Sequence, residues 1–447
     1  MPAPEPGTRA VSSTLALCLA VIGAASMLYY HQGLFMPRVV AVRTAAGLGN
    51  GYSFGNDFYQ VWLSCRELLR QRRDPYSREM TLEIQEGLYG RPLDPNRPSD
   101  PVDQRVFPYP AYTDLLFWST ALIPFPSVRI AILCVMIVLV FATPLLWLGA
   151  LRWYPDWRWS AAIVLLTLTS YSALEGLFAE QLGLLVAFLL AATCIAIQRE
   201  RFVLAGILIA LTTIKPQVTA LAILYLLLWS VQQWQQRRGL VIGFFVTLGL
   251  LLATSLAVLP HWIESWVKTV LAYRHYTRPP LVTEVLTSPL GARFSGLATF
   301  VLTAASILIA VALAWRNRAA ASTSFAFWLT LSLLLSITTI TILPGQAVYD
   351  HLVLIPGIFL LVRHRREFTA AGRVPRVLLA VGALVLFWNW IAAFALIVLK
   401  PLLAPATFDA TVVFSLPIRS AASLPFAVLA LLAWTRRLNP SPNPESV

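Results

Sequence analysis

Long apolar runs separated by short polar connections recur along almost the whole chain. Many of these runs reach the roughly 20 residues that a helix needs to cross a bilayer. The pattern predicts spans near residues 12–36, 127–150, 158–174, 181–198, 202–214, 216–233, 239–259, 294–315, 322–343, 347–362, 376–399 and 413–434. We therefore expect an all-α integral membrane protein with about twelve transmembrane helices, forming a single polytopic membrane domain over residues 1–447.

The arginines fall on alternate connections between these runs. One set of connections and the chain end carry Arg152, Arg158, Arg199, Arg201, Arg237, Arg238, Arg316, Arg318, Arg363, Arg365, Arg366, Arg373, Arg376, Arg436 and Arg437. Because short positively charged loops stay in the cytoplasm, both termini are expected there, including a tail at residues 435–447. The outer face then holds a first outer (periplasmic) loop at residues 37–126 and a second outer loop at 260–293. This indicates a multi-pass protein of the inner (cytoplasmic) membrane.

Composition agrees with a lipid environment. Hydrophobic residues make up 58% of the chain, charged residues 12%, and the mean hydropathy is +0.70. The net charge of +13 is dispersed in short clusters between apolar runs, where membrane orientation explains it, so nucleic acid is not an expected partner. Three of the four cysteines fall inside predicted spans, and no disulfide or metal framework is implied. We expect no cofactor, and metal dependence stays open.

The first outer loop has two recognisable elements. Apolar residues at three- and four-residue spacing predict an amphipathic helix lying on a membrane surface; they are Phe58, Val61, Trp62, Cys65, Leu68 and Leu69. Asp74–Pro75 should end this helix, and the proline-rich stretch that follows favours irregular structure. The apolar segment from Ala111 to Ile123 is short and flanked by prolines, as expected of a re-entrant helix.

Asn56 and Asp57 directly precede the predicted amphipathic helix. Either side chain could cap the helix by accepting a hydrogen bond from a first-turn amide. Alternatively, the Asp57 carboxylate could serve as a general base that takes a proton from an attacking hydroxyl. The sequence leaves both interpretations open.

Several ionisable residues lie at span ends on the predicted side of Asp57: Glu175, Glu180, Lys215, Asp350 and His351. Lys215 could extend to the lipid headgroups or neutralise a phosphate. His351 could be structural, or could be held cationic by Asp350. Arg419 lies inside the last predicted span, where a lipid phosphate would supply a partner.

Outer aromatic residues could line the membrane interface or face a sugar ring; they include Tyr59, Trp62, Tyr76, Tyr109, Tyr112, Trp262, Trp266, Tyr273 and Tyr276.

Short motifs along most of the chain resemble the GT-C glycosyltransferases, and in particular glycosyltransferase family 87. They are Gly55-Asn56-Asp57-Phe58-Tyr59, Asp74-Pro75-Tyr76, Phe107-Pro108-Tyr109-Pro110, Gln181, Lys215-Pro216-Gln217 and Tyr349-Asp350-His351. The best-known members are polyprenyl-phosphate-mannose-dependent alpha-1,2-mannosyltransferases. The resemblance implies a GT-C-like helix bundle and gives Asp57 the role of catalytic base. One departure is Glu180-Gln181, where such proteins often have Gly-Gln.

The hypothesis that follows is an inverting transfer of a hexose, with mannose suggested by the family resemblance. Asp57 would be the base, a polyprenyl-phosphate sugar the donor, and a lipid or glycan the acceptor, at the outer membrane face. The predicted substrate-binding residues are Asn56, Tyr59, Tyr76, Tyr109, Glu180, Gln181, Lys215, Asp350, His351 and Arg419. A transporter or flippase of a lipid-linked sugar is the alternative, although it should place polar groups near the membrane midplane. A noncatalytic scaffold would need no such cluster.

Overall fold

The computed structural model describes residues 6–49, 57–277, 282–343, 347–410 and 414–436. The chain is 80% helical, and the described ranges contain no strand, which confirms the all-α class. The α-helices are α1 Pro6–Leu28, α2 Met36–Ala45, α3 Phe58–Gln71, α4 Arg78–Tyr89, α5 Tyr112–Leu116, α6 Phe125–Ala150, α7 Trp157–Thr169, α8 Tyr171–Phe178, α9 Leu182–Gln198, α10 Phe202–Leu211, α11 Pro216–Gln232, α12 Trp234–Val258, α13 Trp262–Thr277, α14 Val282–Thr287, α15 Ala292–Arg316, α16 Phe325–Thr341, α17 Ile355–Arg363, α18 Arg365–Ala370, α19 Arg373–Leu399, α20 Pro405–Phe408, α21 Leu416–Ser420 and α22 Leu424–Thr435.

Shorter helical turns join or extend some of these helices. A π-helix at Tyr29–Phe35 joins α1 to α2. The 3₁₀ turns are Trp118–Leu122, Thr212–Ile214, Ser288–Leu290, Val348–Leu354 and Ala421–Ser423. Pro216 begins α11 directly after Lys215, as the sequence predicts, because proline fits the first helical position.

Six helices in the described ranges are long and apolar enough to cross a membrane: Ser12–Ala45, Phe125–Ala150, Trp234–Val258, Phe294–Arg316, Arg373–Leu399 and Leu416–Thr435. The pair α7 and α8, bent by 52°, can form a seventh span. Four shorter apolar helices are Leu182–Gln198, Phe202–Ile214, Pro216–Gln232 and Phe325–Thr341. The protein is therefore a multi-pass membrane protein, whereas the count of about twelve spans and their orientation stay predictions.

The short helices α9 and α16 lie in the protein interior. On α16, residues 327–341 are all buried, although this segment includes serines and threonines. Thr330, Ser336, Thr338 and Thr341 donate hydrogen bonds to carbonyls one turn earlier, at 2.7–2.9 Å. Their hydroxyl groups are thus satisfied within the helix, which lets polar residues pack among apolar neighbours.

Glycines bring α10 and α12 close together. Gly239 and Gly243 are four residues apart on α12 and face Val203 and Gly206 on α10. A Cβ at Gly243 would overlap the Val203 carbonyl and lie 3.3 Å from the Gly206 Cα. The helix backbones can approach this closely only because both positions lack a side chain, which is typical of glycines at membrane helix interfaces.

The first outer loop is more ordered than the sequence predicts. Helix α3 is confirmed, but its apolar stripe is covered by protein instead of a membrane surface: Phe58, Val61 and Cys65 are fully buried. The proline-rich stretch with Pro92, Pro95, Pro98 and Pro101 is irregular, as expected, but residues 78–89 before it form α4, a helix that was not predicted, with Ser77 as its N-cap. The segment predicted to be re-entrant is divided into α5 and a 3₁₀ turn at Trp118–Leu122.

The second outer loop packs on the first. Trp266 on α13 donates to the Pro108 carbonyl at 3.0 Å, and Trp262 makes an edge contact with Tyr112. Tyr112 in turn donates to the Thr213 carbonyl at 2.8 Å. These three aromatic residues therefore join the two loops and the 3₁₀ turn that leads to Lys215.

Candidate active site

Asp57 stands immediately before α3, yet its side chain makes no capping hydrogen bond. Its Oδ1 lies 2.5 Å from Arg105 Nη1, and its Oδ2 accepts from Gln181 Nε2. The Asp57 backbone N–H donates to the Ala179 carbonyl at 2.7 Å, which ties the start of α3 to the α8–α9 turn. The capping interpretation is therefore wrong for Asp57, while Asn56 lies outside the described residues.

Gln181 connects Asp57 to a second pair of charges. Lys215 Nζ donates to Gln181 Oε1 at 3.3 Å, and to the two carboxylate oxygens of Asp350 at 2.8 and 3.0 Å. Both members of the ion pair are buried, so Lys215 does not extend to the headgroups. The four residues Asp57, Gln181, Lys215 and Asp350 form one continuous hydrogen-bonded network, which we call the acid–amide–lysine network.

Gly183 makes room for this network. It is the second residue of α9, and a Cβ at this position would overlap Asp350 Oδ1 and lie 3.3 Å from Lys215 Nζ. The close approach of the 3₁₀ turn Val348–Leu354 to α9 therefore depends on a glycine here. This is a local sequence requirement of the site, since any side chain would displace the ion pair.

The charges of the site are nearly matched. Arg105 and Lys215 face the carboxylates of Asp57 and Asp350, respectively. Burial raises the pKa of the Asp57 carboxyl, and the Arg105 charge and the Gln181 hydrogen bond oppose that rise. A carboxyl group with a raised pKa is a stronger base than an exposed aspartate, which suits proton abstraction.

Three tyrosines lie around these charges. Burial raises the pKa of Tyr109 well above its usual value, and the negative charges of Asp57 and Asp350 add to the rise. The Lys215 Nζ lies 4.7 Å from the centroid of the Tyr349 ring, and the Tyr273 hydroxyl lies 3.4 Å from Asp103 Oδ2. These rings place aromatic surface beside the network, which suits a sugar.

Glu180 is the position at which this chain departs from the Gly-Gln pattern. Its φ is +49°, in the left-handed region that favours glycine. Its carboxylate is buried and lies 3.5 Å from Arg129 Nε. The backbone at Glu180 is thus one that glycine adopts more readily than a residue with a side chain. Glu175 accepts from the Tyr171 hydroxyl at 3.3 Å and lies within electrostatic range of Asp57.

Some predicted binding residues have contacts outside the network. Tyr59 is buried against Phe125, with its hydroxyl directly against Gly87. Tyr76 donates to the Tyr109 carbonyl at 2.7 Å and thereby supports Tyr109.

Two further predicted substrate-binding residues, His351 and Arg419, also have no contact with the network in the described residues. His351 is buried, and no hydrogen bond joins it to Asp350 in the described residues, because both Asp350 oxygens face Lys215. The alternative in which Asp350 holds His351 cationic is therefore wrong, because the Asp350 carboxylate is paired with Lys215. Arg419 is exposed on α21, and no described contact links it to the network. A direct substrate contact by Tyr59, Tyr76, His351 or Arg419 stays a prediction.

Arg105 and Tyr349 were not predicted as site residues. The available signal for Arg105 was the general need of a buried carboxylate for a cationic partner, together with its position two residues before Phe107. Tyr349 directly precedes Asp350 in the chain. Among the residues that the structure describes, no group of three or more His, Cys, Asp or Glu side chains could hold a metal ion.

The structure defines a polytopic helical membrane protein. Its acid–amide–lysine network lies between the first outer loop and the ends of several helices. The model of glycosyltransferase family 87 matches residues 107–343, just over half of the chain. The chain belongs to this family and is a membrane glycosyltransferase. The matched range contains Tyr109, Gln181 and Lys215, whereas Asp57 and Asp350 lie outside it. No curated protein and no solved structure matches the chain.

Proposed function

We propose that this enzyme transfers a hexose from a polyprenyl-phosphate sugar to a lipid or glycan acceptor at the outer membrane face. The observation that carries the proposal is the placement of Asp57. Its carboxylate serves no helix cap and is instead joined through Gln181 to Lys215. A base and a cation are thus held in one network, as displacement of a phosphate by a hydroxyl requires.

In the proposed reaction, Asp57 takes the proton of the acceptor hydroxyl while the oxygen attacks the anomeric carbon. The bond between that carbon and the phosphate oxygen breaks, and the phosphate leaves with the electron pair. Attack opposite to the leaving group inverts the anomeric configuration. No metal or other cofactor is assigned to any step.

Lys215 is the proposed phosphate ligand. Its ammonium can neutralise charge that develops on the departing phosphate. Of its three hydrogen bonds, the one to Gln181 is the longest, at 3.3 Å, against 2.8 and 3.0 Å to Asp350. We therefore expect a phosphate to compete with Gln181, while Asp350 keeps Lys215 charged and in place.

The proposed identities of the donor and the sugar and the proposed side of the membrane are supported by different observations. Mannose and the polyprenyl carrier follow from the family resemblance. The outer face follows from the alternation of arginine-rich connections. The proposed site lies where the loop of residues 37–126 meets the ends of α8 and α10 and the 3₁₀ turn Val348–Leu354, and the arginine alternation predicts that these ends face outward.

The test uses the full chain in lipid nanodiscs with polyprenyl-phospho-mannose and a panel of lipid acceptors. We expect a glycosylated acceptor whose anomeric configuration, measured by NMR, is opposite to that of the donor. Retention of configuration would contradict direct displacement. In liposomes, movement of intact lipid-linked sugar across the bilayer without any transfer would instead support the flippase alternative.

A charge-neutral double variant tests the phosphate contact. Lys215→Met with Asp350→Asn removes both charges, so that neither is left buried alone. We expect the KM for the donor to rise by about tenfold or more, because a charged hydrogen bond to phosphate is lost. Lys268→Met is the matched control, since Lys268 is exposed and pairs with Glu264 on its own helix. An unchanged donor KM in the double variant would remove Lys215 from the site.

A further inference from the structure

Arg105 is held in an unusual backbone conformation beside Asp57. Its φ is +56°, a left-handed conformation that costs a residue with a side chain roughly 1 kcal/mol or more. Its guanidinium makes two close side-chain contacts, to the Tyr89 hydroxyl at 2.8 Å and to Asp57 Oδ1 at 2.5 Å. Strained residues persist where surrounding contacts fix them, and such positions cluster at active sites.

The loop around Arg105 is itself anchored. The Arg105 backbone N–H donates to Asp103 Oδ1 at 2.9 Å, and Asp103 Oδ2 lies 3.9 Å from the guanidinium. The same Asp103 oxygen lies 3.4 Å from the Tyr273 hydroxyl on α13. Arg105 is therefore supported by α4, by its own loop and, through Asp103, by the second outer loop.

We propose that Arg105 is a positioning residue that aims the Asp57 carboxylate and keeps it ionised for proton transfer. This inference rests on the proposed function, in which Asp57 is the base. Arg105 acts through Asp57 and is not assigned a contact with substrate.

The charge distribution supports this role. The charged and titratable groups that face Asp57 from the surrounding elements are Arg105, Asp103, Lys215, Arg43, Glu175, Tyr109 and Tyr349. Arg105 forms an ion pair with Asp57 at 2.5 Å, whereas Lys215 is joined to Asp57 through Gln181. Burial raises the pKa of Asp57, and loss of the Arg105 charge would raise it further.

The geometry of the Asp57 carboxylate also supports a positioning role for Arg105. Asp57 Oδ1 is held by the guanidinium and Oδ2 by the Gln181 amide, so the plane of the carboxylate is fixed at both oxygens. Each oxygen retains a further lone pair that can accept a proton. Loss of either partner would let the carboxylate rotate, and a misplacement of about 1 Å can slow a reaction by about 100-fold.

Two variants and a matched control test the role. Arg105→Asn removes the charge but tolerates a left-handed backbone better than most residues, which limits any loss of folding. Arg105→Lys keeps the charge without the planar fork. Arg72→Asn is the control, because Arg72 is in the same outer loop with φ +53° but is exposed at the end of α3. Thermal unfolding and gel filtration verify that each variant is folded.

The readout is the pH dependence of transfer. Activity falls as the pH drops through the pKa of the base, so a raised pKa moves the acid limb of kcat/KM to higher pH. For Arg105→Asn we expect a shift of about one pH unit upward and a fall in kcat of about tenfold to 100-fold, with little change in acceptor KM. Arg105→Lys should keep the acid limb near that of the unmodified enzyme and recover part of kcat. The control should match the unmodified enzyme.

The outcomes separate this inference from the proposed function. If Asp57→Asn is inactive but folded Arg105→Asn keeps both its kcat and its acid limb, Arg105 has no positioning role and the proposed function stands. A fall in kcat with an unchanged acid limb would overturn the part of the inference in which Arg105 keeps Asp57 ionised and would leave only its role in aiming the carboxylate. Full activity of Asp57→Asn would overturn the proposed function itself.

Discussion

Replacement of Gly183 by alanine tests whether the Lys215–Asp350 ion pair must keep its position. The added methyl group would overlap Asp350 Oδ1, and it would lie 3.3 Å from Lys215 Nζ. Asp350 is buried on a 3₁₀ turn and cannot rotate into solvent. The carboxylate or the turn must therefore move away from α9, which lengthens the bonds of 2.8 and 3.0 Å to Lys215.

Two opposing effects set the magnitude. Alanine in a helix is favoured over glycine by about 0.5–1 kcal/mol. Overpacking of a buried site costs about 1–3 kcal/mol. We expect the cost of overpacking to exceed the gain in helix preference, so that the free energy of unfolding falls by roughly 1–2 kcal/mol. Activity should fall much further, by about 100-fold, because the network moves by about 1 Å.

The assay compares Gly183→Ala with Gly249→Ala, since Gly249 is a helical glycine on α12 with nothing within 4 Å of an added Cβ. Thermal unfolding reports stability, and transfer from a labelled polyprenyl-phosphate sugar reports activity. The control should be as active as the unmodified enzyme and at least as stable. If Gly183→Ala keeps full activity, the precise position of Asp350 and Lys215 is not needed for transfer, and their role as a catalytic network is refuted.

Three further predictions concern other parts of the molecule. The acid limb of kcat/KM for the unmodified enzyme should lie above the value of about 3.9 for a free aspartate, because burial raises the pKa of Asp57; a limb at or below that value would contradict the assignment, and a pH–rate profile measures it. Gly243→Val should destabilise the protein by about 1–3 kcal/mol in thermal unfolding, because its side chain would meet the Val203 carbonyl on α10; an unchanged unfolding temperature would refute the close packing of α10 and α12. Cys65 should resist a maleimide until the outer loop unfolds, since it is fully buried and donates to the Asp114 carbonyl; mass spectrometry detects labelling, and rapid modification of the folded protein would contradict the packing of α3.

The candidate network could be predicted in part because its members are conspicuous in sequence. Lys215 and Asp350 stand at the ends of apolar runs, where charged residues are costly unless they are paired or functional. Asp57 directly precedes the amphipathic helix of the first outer loop. Their contacts could not be predicted, since they depend on how the α8–α9 turn, the junction of α10 and α11 at Lys215 and the 3₁₀ turn before α17 meet in space. The interpretation in which Asp350 holds His351 cationic was wrong for the same reason.

Arg105 escaped prediction for the opposite reason. It lies in a polar loop of a chain with 34 lysines and arginines, and its position two residues before Phe107 does not show that it pairs with Asp57. Its distinguishing feature is partial burial in an ion pair with Asp57, which forms only when the loop folds.

The wrong environment predicted for α3 and the missed helix α4 have physical causes as well. An amphipathic stripe shows that one face of α3 is covered, but lipid and protein produce the same pattern. Helix α4 had signals in the sequence, with Ser77 as the N-cap and Gly90 in a left-handed conformation at the C-cap. No helix was predicted there, although the flanking prolines lie outside the helix and do not interrupt it.

The central claim is that the Asp57 carboxylate takes the proton in glycosyl transfer, and Asp57→Asn tests it most directly in single-turnover measurements with bound donor. Asparagine keeps the size of the side chain and one carbonyl-type oxygen but cannot accept the proton. We predict a loss of transfer rate of about 100-fold or more, with donor affinity and unfolding temperature close to those of the unmodified enzyme. Asp94→Asn, at an exposed position of the same loop, should transfer normally. Transfer by Asp57→Asn at a rate within a few-fold of the unmodified enzyme would contradict the account.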